Sequence, residues 1–238
     1  MDGALPDRDD TDARASRALL QLWLSPSFPV GAFAYSQGLE QAAERGWVRD
    51  RATLAAWLQD LTTHGALGYD LVLLASAWRA TTAGDAATLR GVAELSVALQ
   101  PSAERHLEAT QQGRSFIGTM SSAWLCAAVA ALEGLLDETE IAYPVAVGSA
   151  AAGHAISLDD TLTAYALAYA SNLVSAAIRL SVIGQTDGQR VLADVLTTLR
   201  AAVQRAASAS LDDLASATLR ADIASLAHET QYTRLFRS

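Results

Sequence analysis

The fold is decided by Asp50-Arg51-Ala52-Thr53-Leu54-Ala55-Ala56-Trp57-Leu58-Gln59-Asp60-Leu61-Thr62-Thr63-His64. Leu54, Trp57, Leu58 and Leu61 recur at i, i+3, i+4 and i+7, which draws one apolar stripe along a 3.6-residue helix, and Asp50 stands where an N-cap acceptor belongs. Leu71, Leu74, Ala75 and Trp78 repeat the spacing. Upstream, Leu19, Leu20, Trp23 and Leu24 share a helical face that stops at Ser25-Pro26-Ser27-Phe28-Pro29-Val30-Gly31. Two prolines there remove backbone donors and push their predecessors out of the α region. Helix resumes around Tyr35 and ends near Gly46. Further helices are predicted over about 85–100, 102–118, 120–135, 145–156, 160–183, 188–207 and 211–228. Gly84, Pro101, Asp137, Pro144, Gly153 and the Gly184 to Gly188 step punctuate them, and Ser210 with Asp213 reads as a capping box. No stretch alternates Val, Ile and Thr with period two. The class is all-α: a single-domain bundle of about ten helices, with a disordered acidic start over 1–12, a helical domain over 13–227 and a tail over 228–238.

With 238 residues, 51% of them hydrophobic, one core can bury about 70 to 75% of the unfolded surface. The 26 acidic and 17 basic side chains give a net charge of -9, the wrong sign for a general nucleic-acid surface. Every basic side chain is arginine. Without lysine there is no phosphate-cradling Walker lysine, no Schiff base and no kinase-type strand lysine. The lone Cys126 excludes an internal disulfide, and its neighbours Trp124, Leu125, Ala127 and Ala128 place it on a buried helix face as an inert thiol. The acidic N-terminus lacks a signal peptide's basic start and apolar stretch, so a cytoplasmic protein is expected. Residues 115–132 and 161–178 carry no formal charge over nearly a bilayer's span, but Ser, Thr and Asn interrupt both and mean hydropathy is only +0.17. They are expected to be core helices, with no membrane partner.

His64, His106, His154 and His228 are far apart, and none has a second His or Cys three or four residues away, so no metal site, cofactor site or catalytic centre is assigned. His64 is expected to sit at a helix C-terminus and His154 in the core. No Gly-x-Ser-x-Gly elbow occurs. Three segments exceed what folding alone explains. Gly184-Gln185-Thr186-Asp187-Gly188-Gln189-Arg190 reads as an interhelical turn dense in side-chain donors and acceptors. The end, His228-Glu229-Thr230-Gln231-Tyr232-Thr233-Arg234-Leu235-Phe236-Arg237-Ser238, concentrates Tyr, Phe and Arg as interface hot spots do, and as a helix it would gather Tyr232, Leu235 and Phe236 on one face with Arg234 and Arg237 beside it. Ser25 to Glu40 sets three aromatics and two prolines around Gly31, a stiff ledge for another chain or for the protein's own tail.

Together these segments resemble the urease accessory protein F family. The chain carries Ser-Pro-x-x-Pro-x-Gly-x-Phe-x-Tyr-Ser-x-Gly-Leu-Glu from Ser25 to Glu40, Gly-Gln-x-x-Gly-Gln from Gly184 to Gln189, and His-Glu-x-x-Tyr-x-Arg-Leu-Phe-Arg-Ser from His228 to Ser238. Gly113-Arg114-Ser115-Phe116 and Ser171 to Arg179 also look like family segments, whereas Val182 stands where members often have proline. The resemblance implies an all-helical chaperone of urease nickel insertion, without catalysis or cofactor of its own. It would bind urease accessory protein D (called H in some organisms), form a homodimer in that complex, recruit the GTPase accessory protein G and serve the urease apoprotein. Tyr35, Tyr232, Arg234, Leu235, Phe236 and Arg237 are implied for D/H binding and tail docking, with Arg234 stacking on Tyr35 to order the tail. Arg179, Gln185, Gln189 and Arg190 are implied for the GTPase. Two other readings compete: a GTPase activator using Arg179 or Arg190 as an arginine finger, and a small-molecule-binding enzyme with a pocket lined by Trp47, Trp57, Trp78 or Trp124.

Overall fold

The computed structural model describes the backbone of residues 8–238 and the side chains of residues 14–238. The chain winds through α1 (Arg8–Trp23), α2 (Leu39–Glu44), α3 (Arg51–His64), α4 (Ala66–Ala83), α5 (Ala86–Ala98), α6 (Ala103–Ala123), α7 (Ala127–Leu136), α8 (Tyr143–Gly153), α9 (Leu158–Arg179), α10 (Gln185–Ser208) and α11 (Leu219–His228). No strand occurs among the described residues. The expected disordered start lies outside them as far as residue 7, and α1 begins at Arg8.

The Asp50 stretch folds as its pattern requires. Leu54, Trp57, Leu58 and Leu61 are buried, and Asp50 and Thr53 form a reciprocal capping box, with the Thr53 N–H donating to Asp50 Oδ1 at 2.8 Å. α4 is the hub, touching α3, α5, α8, α9 and α10. α8, built of Val, Ala, Gly and Ser after its opening Tyr143-Pro144, lies almost wholly buried against it. Arg79 on α4 reaches the open end of α10, where its guanidinium donates to the Ala209 and Ala207 carbonyls at 2.8 and 2.6 Å. Those carbonyls have no helical partner of their own.

Four junctions differ from expectation. The run 115–132 breaks at Trp124-Leu125-Cys126, because the Trp124 indole turns in to meet Trp23 at 6.2 Å and Phe28 at 5.8 Å between ring centroids. Cys126 is therefore the half-buried N-cap residue of α7 and lies off the helix face. In place of helix from Tyr35, the chain makes a 3-10 turn at Ala32–Ala34 and enters α2 only at Leu39. The expected helix 211–228 is a 3-10 turn at Leu211–Asp213, capped by Ser210 as read, then an irregular stretch and α11. In that stretch the Ala217 N–H donates to the His64 carbonyl at 2.7 Å, closing the end of α3 and leaving no amide for local helix. Finally, the Gly184 to Gly188 step is the first turn of α10. Helix α9 is long and apolar enough to cross a membrane by length and composition, and 56% of its apolar window is buried in the fold.

Candidate functional site

The ledge at Ser25 to Glu40 and the tail at 228–238 meet, and side chains from α2, α6 and α9 hold them together. Gly38 precedes α2 with φ +76°, a conformation that favours glycine, and a Cβ there would lie 2.8 Å from the Ser225 backbone nitrogen. That close approach brings α2 against α11 and sets Glu40 beneath the tail. Glu40 Oε1 accepts the Leu235 N–H at 2.7 Å, and its Oε2 accepts the Phe236 N–H at 2.9 Å. His228, 0% exposed, sets Nε2 3.2 Å from Glu40 Oε2 and Nδ1 2.6 Å from Glu104 Oε2 on α6. Farther along, the Arg237 N–H donates to the Ala34 carbonyl at 2.8 Å and the Ser36 N–H to the Ser238 carbonyl at 2.7 Å. The tail is thus an irregular segment that bends at Tyr232 and Thr233 and again at Leu235 and Phe236, and the helix expected for Tyr232, Leu235 and Phe236 does not form. Its amides find better acceptors in the ledge and in Glu40 than a helix this short could offer.

Beneath the tail lies a buried charged cluster. Glu108 accepts from the Arg105 guanidinium, from Gln112 Nε2 at 3.2 Å, from Gln37 Nε2 at 3.1 Å and from the Ser238 hydroxyl at 3.0 Å. Next to it, Asp70 accepts the Tyr165 hydroxyl at 3.0 Å. Burial pushes the Asp70 carboxyl up to about 7 against the opposing pull of Arg105. Burial likewise raises the Tyr35 hydroxyl above its ordinary range, opposed by a hydrogen bond from Arg237. Residues 1% to 5% exposed therefore link the last residue of the tail to the centre of the bundle.

The sequence-derived residues divide between buried anchors and displayed groups. Tyr35 is buried and donates to Gln111 Oε1 at 2.7 Å. Arg234 does not stack on it: its Nη1 pairs with Glu104 Oε1 at 2.7 Å, and the tail arginine beside Tyr35 is Arg237. The arginine that does stack is Arg179, 4.3 Å above the Phe236 ring. Phe236 is the apolar anchor at 4% exposed, whereas Tyr232 at 102% and Leu235 at 62% stand in solvent.

Arg179, at the C-terminal end of α9, therefore touches the tail through Phe236. Gln185, Gln189 and Arg190 are exposed on the first turns of α10, where Arg190 pairs with Asp187 at 2.9 Å. The turn expected at this step gives way to helix because Gly188 faces α9, where a Cβ would sit 2.9 Å from Ile178 Cδ1 and 3.0 Å from Val174 Cγ1. Glu40, Glu104, Glu108 and His228 carry the tail and were not singled out from the sequence. The readable signals were modest: Glu40 and His228 are the end residues of two motifs, and Glu104 and Glu108 lie one helical turn apart.

The tryptophans do not gather around one pocket. Trp47 and Trp57 line a cavity of about 550 Å³ beside α3, Trp78 donates to the Ile156 carbonyl at 2.9 Å, and Trp124 packs on Trp23 and Phe28. A larger cleft of about 690 Å³ runs between α1, the ledge and α9. His64 ends α3 as expected, and His154 meets the Trp124 carbonyl at 2.9 Å and the edge of Trp23. Among the described residues, no group of three or more His, Cys, Asp and Glu is placed to hold a metal ion.

Comparison with known proteins bears on this geometry. The sequence model of the UreF family matches residues 48–196. A urease accessory protein UreF from Rhodopseudomonas palustris is 55% identical over 223 residues, 92% of each chain. One from Methylobacterium radiotolerans is 51% identical over 227 residues, 95% of this chain and 99% of its own. A third, from Bradyrhizobium diazoefficiens, is 52% identical over 235 residues, 96% of this chain and 95% of the relative.

Proposed function

The chain belongs to the UreF family of urease accessory proteins, and from that premise we propose that it is a cytoplasmic scaffold in urease nickel insertion whose tail is the surface for accessory protein D/H. The observation that carries this reading is a pairing of order with exposure. Leu235 has its amide bonded to Glu40 while its side chain stands 62% exposed, and the neighbouring Tyr232 is fully exposed. Interfaces draw affinity from exposed aromatic and aliphatic anchors that are held in place before the partner arrives, because little ordering entropy remains to be lost. The exposed Gln185, Gln189 and Arg190 form the second surface, for the GTPase accessory protein G, and the complex assembles as a homodimer that acts on the urease apoprotein. An arginine-finger role is the weaker reading, since Arg190 is already paired with Asp187 and Arg179 is engaged on Phe236.

The decisive experiment replaces Tyr232 and Leu235 by alanine and measures binding to purified D/H by calorimetry, with a thermal melt on the same variants. Each substitution is expected to weaken binding by about 1 to 3 kcal/mol with no change in melting temperature, because neither side chain is buried. Wild-type affinity in the double variant would refute the assignment. Gln185→Ala with Arg190→Ala should lower GTPase recruitment and leave D/H binding intact.

A further inference from the structure

We infer that Glu40 is the positioning residue of the tail: one buried carboxylate sets the register in which Tyr232 and Leu235 are presented. This rests on the reading of the tail as the partner surface. Three groups from two places in the chain converge on Glu40, namely the Leu235 amide donating at 2.7 Å, the Phe236 amide donating at 2.9 Å and the His228 Nε2 in contact at 3.2 Å. The two amides are consecutive and take the two oxygens separately, so the carboxylate grips the backbone bidentately, and the charge strengthens both bonds. Consecutive amides can meet one carboxylate only where the chain bends, as it does at Leu235 and Phe236. Holding both amides fixes that bend, which carries Phe236 inward, under Arg179, and leaves Leu235 outward. His228 ties the same carboxylate to the end of α11, from which the tail departs, and through Glu104 to Arg234, so the grip is braced on both sides of Tyr232. Ser36, Arg237 and Ser238 secure only the last residues, and the Thr230 and Gln231 amides turn back on the Ala227 and His228 carbonyls; Glu40 takes the Leu235 and Phe236 amides that lie between.

The test uses the full chain, the Glu40→Gln variant, a chain lacking residues 229–238, and that truncated chain carrying Glu40→Gln. An amide at position 40 turns one acceptor oxygen into a donor that, whichever way the amide is turned, faces a backbone N–H. Amide hydrogen exchange at Leu235 and Phe236 should accelerate by about tenfold or more in Glu40→Gln, and binding of purified D/H should fall to the level of the truncated chain. In the truncated background Glu40→Gln should weaken binding no further, since a positioning residue has nothing left to position. Retained protection of the two amides in Glu40→Gln would overturn the inference. So would an equal loss of D/H binding with and without the tail, or failure of the truncated Glu40→Gln chain to fold, each of which makes Glu40 part of the core. If the truncated chain binds D/H as tightly as wild type, the tail is not the partner surface, and the exchange rates still decide whether Glu40 positions it.

Discussion

Asp70 offers a direct measure of the charged cluster that underlies the tail. Its carboxyl is buried in α4, bonded to the Tyr165 hydroxyl, and raised by burial from an ordinary 3.8 to about 7, with Arg105 opposing. The folded protein therefore binds a proton at Asp70 that the unfolded chain gives up between pH 4 and pH 7. In that window stability falls as pH rises, and above about pH 7 the loss is complete. At about 1.4 kcal/mol per pH unit the whole effect is on the order of 4 kcal/mol. For a chain of this length 1 kcal/mol moves the melting temperature by roughly 2 °C, so the expected span is about 8 °C. Asp70→Asn keeps the shape and an acceptor for Tyr165 but does not titrate. Other carboxylates contribute to the pH dependence of both proteins, so the quantity to follow is the difference between wild type and variant, by calorimetric or fluorescence melts from pH 4 to pH 8. The variant should gain on the wild type steadily to pH 7 and level off beyond it. A difference that stays constant within about 1 kcal/mol would refute the burial argument, leaving Asp70 ionised throughout beside Arg105.

The remaining predictions test the frame that carries the site. Arg79→Ala opens the C-terminal end of α10, and with two half-buried carbonyls losing a charged donor it should cost about 1 to 3 kcal/mol, read as an earlier thermal or urea transition. Gly188→Ala brings a methyl group within 2.9 Å of Ile178 Cδ1 and 3.0 Å of Val174 Cγ1, and the overpacking between α9 and α10, offset by about 1 kcal/mol of helix propensity, should leave a net cost of at most about 2 kcal/mol; it should also weaken GTPase recruitment by displacing Gln185 and Gln189. The isolated chain should show no calorimetric isotherm for nickel or GTP tighter than about 10 μM, roughly -7 kcal/mol.

The sequence alone determined the helical class, because an apolar residue every third or fourth position, as at Leu54, Trp57, Leu58 and Leu61, closes a core stripe only at helical pitch. It also determined the caps at Asp50 and Ser210, whose side chains act on amides two or three residues away. Both are short-range effects, complete within a few turns of chain. What lay beyond reach depended on which elements touch. Trp124 leaves the helical path because Trp23 and Phe28, a hundred residues upstream, receive its ring. Gly184 to Gly188 looks like a turn by composition but is helix because α9 needs the missing Cβ. The tail has a plausible amphipathic helical pattern, yet it is irregular because Glu40 and the Ala34 carbonyl, about two hundred residues away, outcompete its own carbonyls for the Leu235, Phe236 and Arg237 amides. For the same reason the aromatics and arginines of the tail were legible as a surface from composition, while the acids that hold them were not: a glutamate in a sequence reads as solvent-facing until the fold brings a histidine and two amides to it.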